Sequence, residues 1–330
     1  MHKLLSICIP TYNRGKILEE SLVRLTSERL FVETDDIEII VSDNASPDNT
    51  QEICERFASI FPTKLIYYRQ RENLGASVNM TALMKMAQGE FVKIQNDNFY
   101  FIPNALEQMC GFIRSMTRDK PVVFWGSRHI PYCQAGVFSF KSHDEMLELL
   151  SYYTTWFGGF GFWKTDRDRV LEIHEKYCNT LLPQVAILWT LFDEKKFGVV
   201  DNRELLSDEH STEVIKGGYN IAEVFGKVYL GMLREHMGDG KISKRAYEKE
   251  KKRVFKDIIF FKYNDFLRAH AFIKGHYFSY TADFHRNLYY WVSFLYWPLC
   301  KFVSLLPRRL RYGSKDIFLK FKSLLSRAGT

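Results

Sequence analysis

The sequence predicts an α/β fold, a mainly parallel central sheet flanked by helices, followed by a helical C-terminal extension that is basic and aromatic. Three observations carry this expectation. Short β-rich runs alternate with helical stretches over the first hundred residues, the pattern of strand-helix-strand units. Each apolar run ends in a polar loop, so those loops share one edge of the sheet. Charge is also split along the chain: residues 241–330 carry 20 Lys/Arg against 6 Asp/Glu, leaving 26 against 33 before them, for a net charge of +7. At 330 residues and 46% apolar composition the chain can bury a full core, which excludes a disordered or fibrous protein.

The elements follow in order. LLSICIP is the first strand, and residues 16–30 form a helix with apolar Ile17, Leu18, Leu22, Val23 and Leu25. Residues 37–41 are the second strand, ending at SDNASPDNT, and a helix over 50–61 follows. The third strand covers 65–68, RENLGAS leads into a helix over 77–88, and the fourth strand, 90–94, closes at QNDN. From about residue 116 the pattern changes. VVFWGS is one more strand, SFKSHDEMLELLSYY passes from loop to helix, TTWFGGFGFWKTD is a loop of glycines and aromatics, and LLPQVAILWTLFDEKKFGVV opens as a helix. After GGYN the chain turns helical and basic, with a break over 238–241. The expected division is 1–115 and 116–220 within one domain, then a C-terminal region, 221–330.

The cysteines Cys8, Cys54, Cys110, Cys133, Cys178 and Cys300 contain no C-x-x-C pair, which points to reduced thiols in a cytoplasmic protein. The N-terminal run reaches Pro10 before an export signal could form, so it reads as a strand. No nucleic-acid recognition motif accompanies the basic tail, and nucleic acid is not an expected partner. PTYNRGK is likewise a poor phosphate loop.

Open α/β sheets bind ligands outside the carboxyl ends of their strands. That edge gathers Pro10, Thr11, Tyr12 and Asn13, then Asp43 to Asp48, Asn73 to Ser77, and Asn96 to Asn98. Asp43, directly after EIIVS, is placed to read a ribose or base edge, or to cap the turn that holds Asn44, Ser46 and Asp48. Asn96, Asp97 and Asn98 offer hard oxygen ligands for Mg²⁺ or Mn²⁺ bridging a diphosphate, or form a tight turn.

SICIPTYNR, EIIVSDNASPDNT and RENLGASVNMTALMKMAQGEFVKIQNDN occur in that order, and over roughly residues 4–110 the chain resembles glycosyltransferase family 2, of GT-A fold. The resemblance implies a nucleotide-sugar donor, most simply a UDP-sugar, and inverting transfer to a glycan or lipid-linked acceptor. It further implies that Thr11 and Tyr12 line the base pocket, that Asp43 contacts uracil or ribose, and that Asp97 is the metal-binding member of the Asp-x-Asp region. Donor binding is therefore expected at Pro10, Thr11, Tyr12, Asn13, Asp43, Asn73, Asn96 and Asp97. Metal binding is expected at Asp97, Asn98 and His210, the last resembling the family's late histidine.

Two departures stand out. Only Asp97 is acidic where the family carries two or three acidic residues, and Pro183-Gln184 stands where a Glu-Asp pair with the catalytic base is usual. The candidate bases are Asp193, with Glu194 beside it, and Asp208 and Glu209, with Asp166 and Asp168 as further choices; Asp193 and Glu194 also read as an ordinary charged helix end. Trp156, Gly158, Gly159 and Trp163 form an acceptor platform or an aromatic core plug.

The tail places an apolar stretch, 288–306, interrupted by Pro298 and Lys301, beside Arg308, Arg309, Arg311, Lys315, Lys320 and Lys322. This reads as an interfacial segment on an anionic membrane surface, peripheral on the inner face of the cell membrane. Ile317, Phe321, Leu324 and Leu325 continue it as an amphipathic helix; a homo-oligomer contact is the other reading. The expected function is glycosyl transfer in bacterial surface-glycan synthesis, the alternative a catalytically silent subunit.

Overall fold

The computed structural model describes residues 3–207, 219–260 and 277–291. The chain divides into two compact units, Met1–Ile215 and Lys216–Thr330. The expected boundary near 220 lies close to this division, whereas the one at 115/116 falls in the last turn of a helix inside the first unit.

The first unit runs β1 (Leu5–Thr11), α1 (Gly15–Ser27), α2 (Arg29–Glu33), β2 (Ile37–Asp43), α3 (Thr50–Ile60), β3 (Leu65–Arg69), α4 (Ala76–Met86) and β4 (Phe91–Ile94). It continues with β5 (Tyr100–Phe101), α5 (Ala105–Met116), β6 (Val122–Trp125), β7 (Val137–Phe140), α6 (His143–Leu150) and β8 (Gly161–Trp163). α7 (Arg167–Tyr177), α8 (Pro183–Lys195), β9 (Gly198–Asp201) and β10 (Leu206–Ser207) complete it.

The main sheet has the order β3-β2-β1-β4-β8. Its first four strands are parallel and β8 is antiparallel to β4. Every residue of β2 is buried, as expected of a strand covered on both faces, and such strands read as unbroken apolar runs. α1 supplies one cover through Ile17, Leu18, Leu22 and Leu25, spaced at the helical period. A core side chain such as Leu22 or Ile39, both with no exposure, contributes about 1.5–3 kcal/mol by leaving water.

Two expectations need correction, and a third segment gains detail. The helix over 16–30 is broken at Glu28, which is extended (φ −61°, ψ 128°) and whose carboxylate accepts the Asn104 N–H at 3.2 Å. That tertiary contact outweighs local helix propensity. The glycine and aromatic segment is not all loop, because Gly161–Trp163 extends the main sheet. A Cβ at Gly161 would lie 2.6 Å from the Phe91 ring, so only glycine lets the two strands close. The stretch KFGVV leaves the helix at Lys196, which is left-handed (φ 57°), and enters β9, which pairs parallel with β6 and antiparallel with β7.

In the second unit a π-helical stretch, Ala222–Tyr229, runs into α9 (Leu230–Gly238). The expected break is present, with Gly240 at φ +72°. α10 (Lys244–Val254) starts at Ser243, whose hydroxyl accepts the Ala246 N–H. The Tyr229 hydroxyl donates to buried Glu250 at 3.0 Å, and Phe255 packs on Phe284, Tyr289 and Tyr290. Among the described residues no helix is long and apolar enough to cross a membrane. The expected interfacial tail from residue 292 onward lies outside the described residues.

Candidate active site

Parallel register sets the site. Thr11 is level with Asp43, Asp43 with Arg69, and Cys8 with Ile94, so the loops after β1, β2, β3 and β4 emerge side by side. The chain turns sharply after β1 at Asn13, which is left-handed (φ 55°), a conformation asparagine tolerates better than most residues. The Asn13 N–H donates to the Ser46 hydroxyl at 2.8 Å. Gly15 N–H donates to Asp48 at 2.8 Å. Burial raises the Asp48 carboxyl, but hydrogen bonds from Thr50 and Gly15 outweigh it and hold the group below the usual carboxylate range.

Asp43, expected to meet base or ribose, is fully buried. Its Oδ1 accepts the Ser46 N–H at 2.8 Å and the Ser46 hydroxyl at 2.5 Å. Its Oδ2 accepts the Tyr67 hydroxyl at 2.9 Å and an Arg69 N–H at 2.5 Å. A carboxylate has about four acceptor positions, and these donors fill them. These contacts fit the turn-capping reading, with Asp43 organising the edge through Ser46, Tyr67 and Arg69. Asn73 is likewise engaged, its amide oxygen accepting from Asn44 at 2.7 Å and from Gly75 N–H at 3.1 Å. Tyr12 is half-exposed beside this network.

The turn reading of N-D-N is observed. Phe99 N–H donates to the Asn96 carbonyl at 3.3 Å, closing a turn with Asp97 and Asn98 at its centre. Asp97 is buried, yet one oxygen lies 2.8 Å from the Arg14 guanidinium and the other accepts the Thr11 hydroxyl at 3.2 Å. Burial pushes the Asp97 carboxyl up, opposed by the Arg14 charge and the Thr11 hydrogen bond. The Asn98 amide oxygen is buried with no hydrogen-bond partner. One carboxylate with an unsatisfied amide oxygen beside it fits a hard divalent cation, which takes its remaining ligands from phosphate and water. Among the described residues no group of three or more His, Cys, Asp or Glu gathers as a metal centre, at this turn or elsewhere.

Of the expected acceptor residues, only Trp156 borders this turn. Its ring lies 5.0 Å from Phe99 and 5.3 Å from His129. Trp163 is buried against Phe91 and donates its indole N–H to Pro121 at 2.7 Å. Gly158 and Gly159 are buried, and a Cβ on Gly159 would sit 2.3 Å from the Phe124 ring. These three are core packing, since close ring contacts, not ligand approach, require glycine there.

Beneath Gly158 lies Lys93, fully buried, its ammonium donating to the Gly158 carbonyl, to the Ile94 carbonyl at 2.9 Å and to Gln95 Oε1 at 3.2 Å. All three acceptors are neutral. Desolvation lowers its pKa to about 7, while the unfolded lysine stays charged up to about 10.4. Above pH 7 the unfolded chain therefore binds more protons, and stability rises with pH by up to about 1.4 kcal/mol per unit. Relative to Lys93→Met, the wild type should gain about 1 kcal/mol per unit from pH 7.5 to 9 in urea titrations. Parallel curves would show that Lys93 keeps an ordinary pKa.

The candidate bases divide by sheet end. α8 starts at the carboxyl edge, where Gln184 Nε2 donates to the Thr155 carbonyl at 2.7 Å, and runs away from it. At its far end Lys195 donates to the Lys120 carbonyl at 2.8 Å and pairs with Asp166 at 2.9 Å; Lys120 precedes β6 and pairs with Glu90, which precedes β4. Asp166 thus lies at the amino end of the strands, opposite Asp97. Asp193, in the last turn of α8, sits 3.3 Å from His143 and 3.6 Å from Lys196. Asp168 opens α7 beside Arg167, which donates to the Ala87 carbonyl at that same end. The three are corrected from candidate bases to surface and packing acids. Asp208, Glu209 and His210 lie outside the described residues.

Sequence reasoning missed Arg14, Lys93, Phe99 and His129 at this site. Arg14 had a signal, a cation three residues beyond the end of β1 at an edge otherwise filled by amides and acids.

Residues 6–157 match the family described as Glycosyl transferase family 2. The chain is 41% identical over 88 residues to abequosyltransferase RfbV of Salmonella typhimurium, covering 27% of this chain and 26% of that protein. It is 28% identical over 105 residues to the GalNAc(5)-diNAcBac-PP-undecaprenol beta-1,3-glucosyltransferase of Campylobacter jejuni, covering 32% and 33%. The chain thus spans about a quarter to a third of the length of these relatives. Among solved structures, S. aureus TarS 1-349 in complex with UDP-GlcNAc is similar with a TM-score of 0.53 at 17% identity, over 93% of this chain and 82% of that one. The likeness is one of fold, and the fold is GT-A.

Proposed function

Residues 6–157 belong to glycosyl transferase family 2, and from that premise we propose that the protein moves a sugar from a UDP-linked donor onto a lipid-linked oligosaccharide or polysaccharide in bacterial surface-glycan synthesis, with inversion. The observation that carries this reading is the Thr11–Asp97–Arg14 cluster at the carboxyl edge, a buried carboxylate held between a hydroxyl and a cation. Thr11 and Arg14 fix Asp97 in place, and the Arg14 side chain, 35% exposed, presents positive charge where a diphosphate departs. Preorganised charge of this kind stabilises a leaving group without reorganisation. Asp97 and Asn98 would hold a Mn²⁺ or Mg²⁺ ion, which when bound neutralises the diphosphate further. Tyr12 offers an exposed ring to the base.

The UDP-GlcNAc bound by the TarS structure supports the donor class. The two relatives support sugar transfer, one of them being a transferase that acts on an undecaprenol-linked glycan. A position on the inner membrane face draws support from exposed Phe278, Leu288 and Trp291, which lead into the basic tail.

The test is a screen of nucleotide sugars with Mn²⁺ or Mg²⁺ and then with chelator, following thermal stabilisation and release of nucleoside diphosphate. One donor should stabilise the protein by several degrees and be turned over, with both effects reduced by chelator. Binding with no turnover on any acceptor would replace the enzyme by a silent subunit.

A further inference from the structure

Arg14 and Asp97 form an ion pair of unequal exposure. The Arg14 guanidinium donates to Asp97 Oδ1 at 2.8 Å, and the Thr11 hydroxyl donates to Oδ2 at 3.2 Å. The Asp97 side chain is 5% exposed and the Arg14 side chain 35%. Arg14 lies in the short loop between β1 and α1, next to left-handed Asn13, so the partner in contact with water is also the one outside the sheet and the helices. One guanidinium balances one carboxylate, and among the described residues no cluster of three or more His, Cys, Asp or Glu reinforces Asp97. A divalent cation arriving alone meets a carboxylate already matched by a positive charge at contact distance, and the two cations repel. A diphosphate reverses that balance. Its oxygens accept from a guanidinium as a carboxylate does, which leaves Asp97 and the buried, unpartnered Asn98 amide oxygen to the cation.

Resting on the glycosyltransferase reading, we propose that Arg14 is an exchangeable counter-ion: it holds Asp97 in the resting protein and passes to a diphosphate oxygen when the donor and a divalent cation bind together. No covalent bond changes, because Arg14 trades one anionic partner for another. Nucleotide and cation are then coupled through Arg14, and the coupling is reciprocal. The single acid of this turn acquires a purpose. Two or three acids would retain a cation without the nucleotide, whereas one acid matched by Arg14 retains it only with the nucleotide.

The experiment uses the full chain with Arg14→Gln, which keeps an N–H for Asp97 and deletes the charge, and Arg14→Lys, which keeps the charge. Binding of Mn²⁺ without nucleotide is read from the electron paramagnetic resonance of free Mn²⁺, and UDP binding by calorimetry, with Mn²⁺ and then with chelator. Arg14→Gln should bind Mn²⁺ alone about fivefold or more tightly than the wild type, while Arg14→Lys stays close to it. With Mn²⁺ present Arg14→Gln should bind UDP about tenfold more weakly, yet with chelator within about twofold of the wild type, since Arg14 reaches the diphosphate only after leaving Asp97. An unchanged or weaker Mn²⁺ affinity in Arg14→Gln overturns the proposal and leaves Arg14 a fixed support of Asp97. An equal loss of UDP affinity with and without Mn²⁺ also overturns it, marking a stationary cation. If the wild type binds no UDP and turns over no nucleotide sugar, the glycosyltransferase reading fails instead, while the Mn²⁺ titration, which needs no nucleotide, still decides whether Arg14 competes for Asp97.

Discussion

Asp97→Asn should lower sugar transfer by about 10²–10³-fold while the melting temperature falls by only a few degrees. The asparagine keeps the size of the side chain and can still accept from Thr11, so the turn at 96–99 survives. What disappears is the charge that Arg14 faces at 2.8 Å and that a divalent cation would share. Arg14 is partly exposed and screened by water, so the lost ion pair costs stability only about 1 kcal/mol. The pH profile of the wild type gives a second readout. Burial raises the Asp97 carboxyl, so the acid limb of activity should lie above the ordinary aspartate range of about 4. Wild-type turnover in Asp97→Asn would remove Asp97 from the chemistry.

Asp43→Ala should act in the opposite way, through stability. It strips the acceptor from Tyr67, Arg69 and both donors of Ser46 in a site with no solvent exposure at Asp43. Breaking a buried charge pair by removing one partner costs about 3–5 kcal/mol, reduced here because the Arg69 side chain is 31% exposed. A loss of about 3 kcal/mol corresponds to a fall of the order of 10 °C in a domain of this size. Calorimetry separates the two roles open to Asp43. A carboxylate that contacts uracil or ribose would, on removal, weaken UDP binding at an unchanged melting temperature, and that result would restore the ligand-binding assignment.

The contrast between these two acids shows what the sequence can and cannot reveal. β1 to β4 were legible because each is an apolar run between helical periods, and Asp97 because it follows a strand. The position of Asp43 was equally legible, but its role depends on Tyr67 and Arg69, which lie 24 and 26 residues further on and meet it only through the register of β2 with β3. Arg14 reaches Asp97 across 83 residues, a pairing with no local signature. β7, β8 and β9 are only three or four residues long, too short to show alternation, and the glycines of the 156–163 segment acquire meaning only against Phe91 and Phe124. The direction of α8 places Asp193: a helix that begins at the carboxyl edge carries the acids of its last turn to the other end.

The antiparallel strand β8 bears on how the protein can be divided and made. β4 is separated from its partner by more than sixty residues of chain, so during synthesis the parallel core can assemble while one margin of the sheet still displays the unpaired backbone of Phe91–Ile94. Open margins of this kind recruit other chains. A fragment ending at residue 157, where the family resemblance stops, lacks Gly161–Trp163 and carries that adhesive margin permanently. A piece that keeps β4 paired must extend past Trp163, and the segment that looks like a decorative loop in the sequence is what covers that margin.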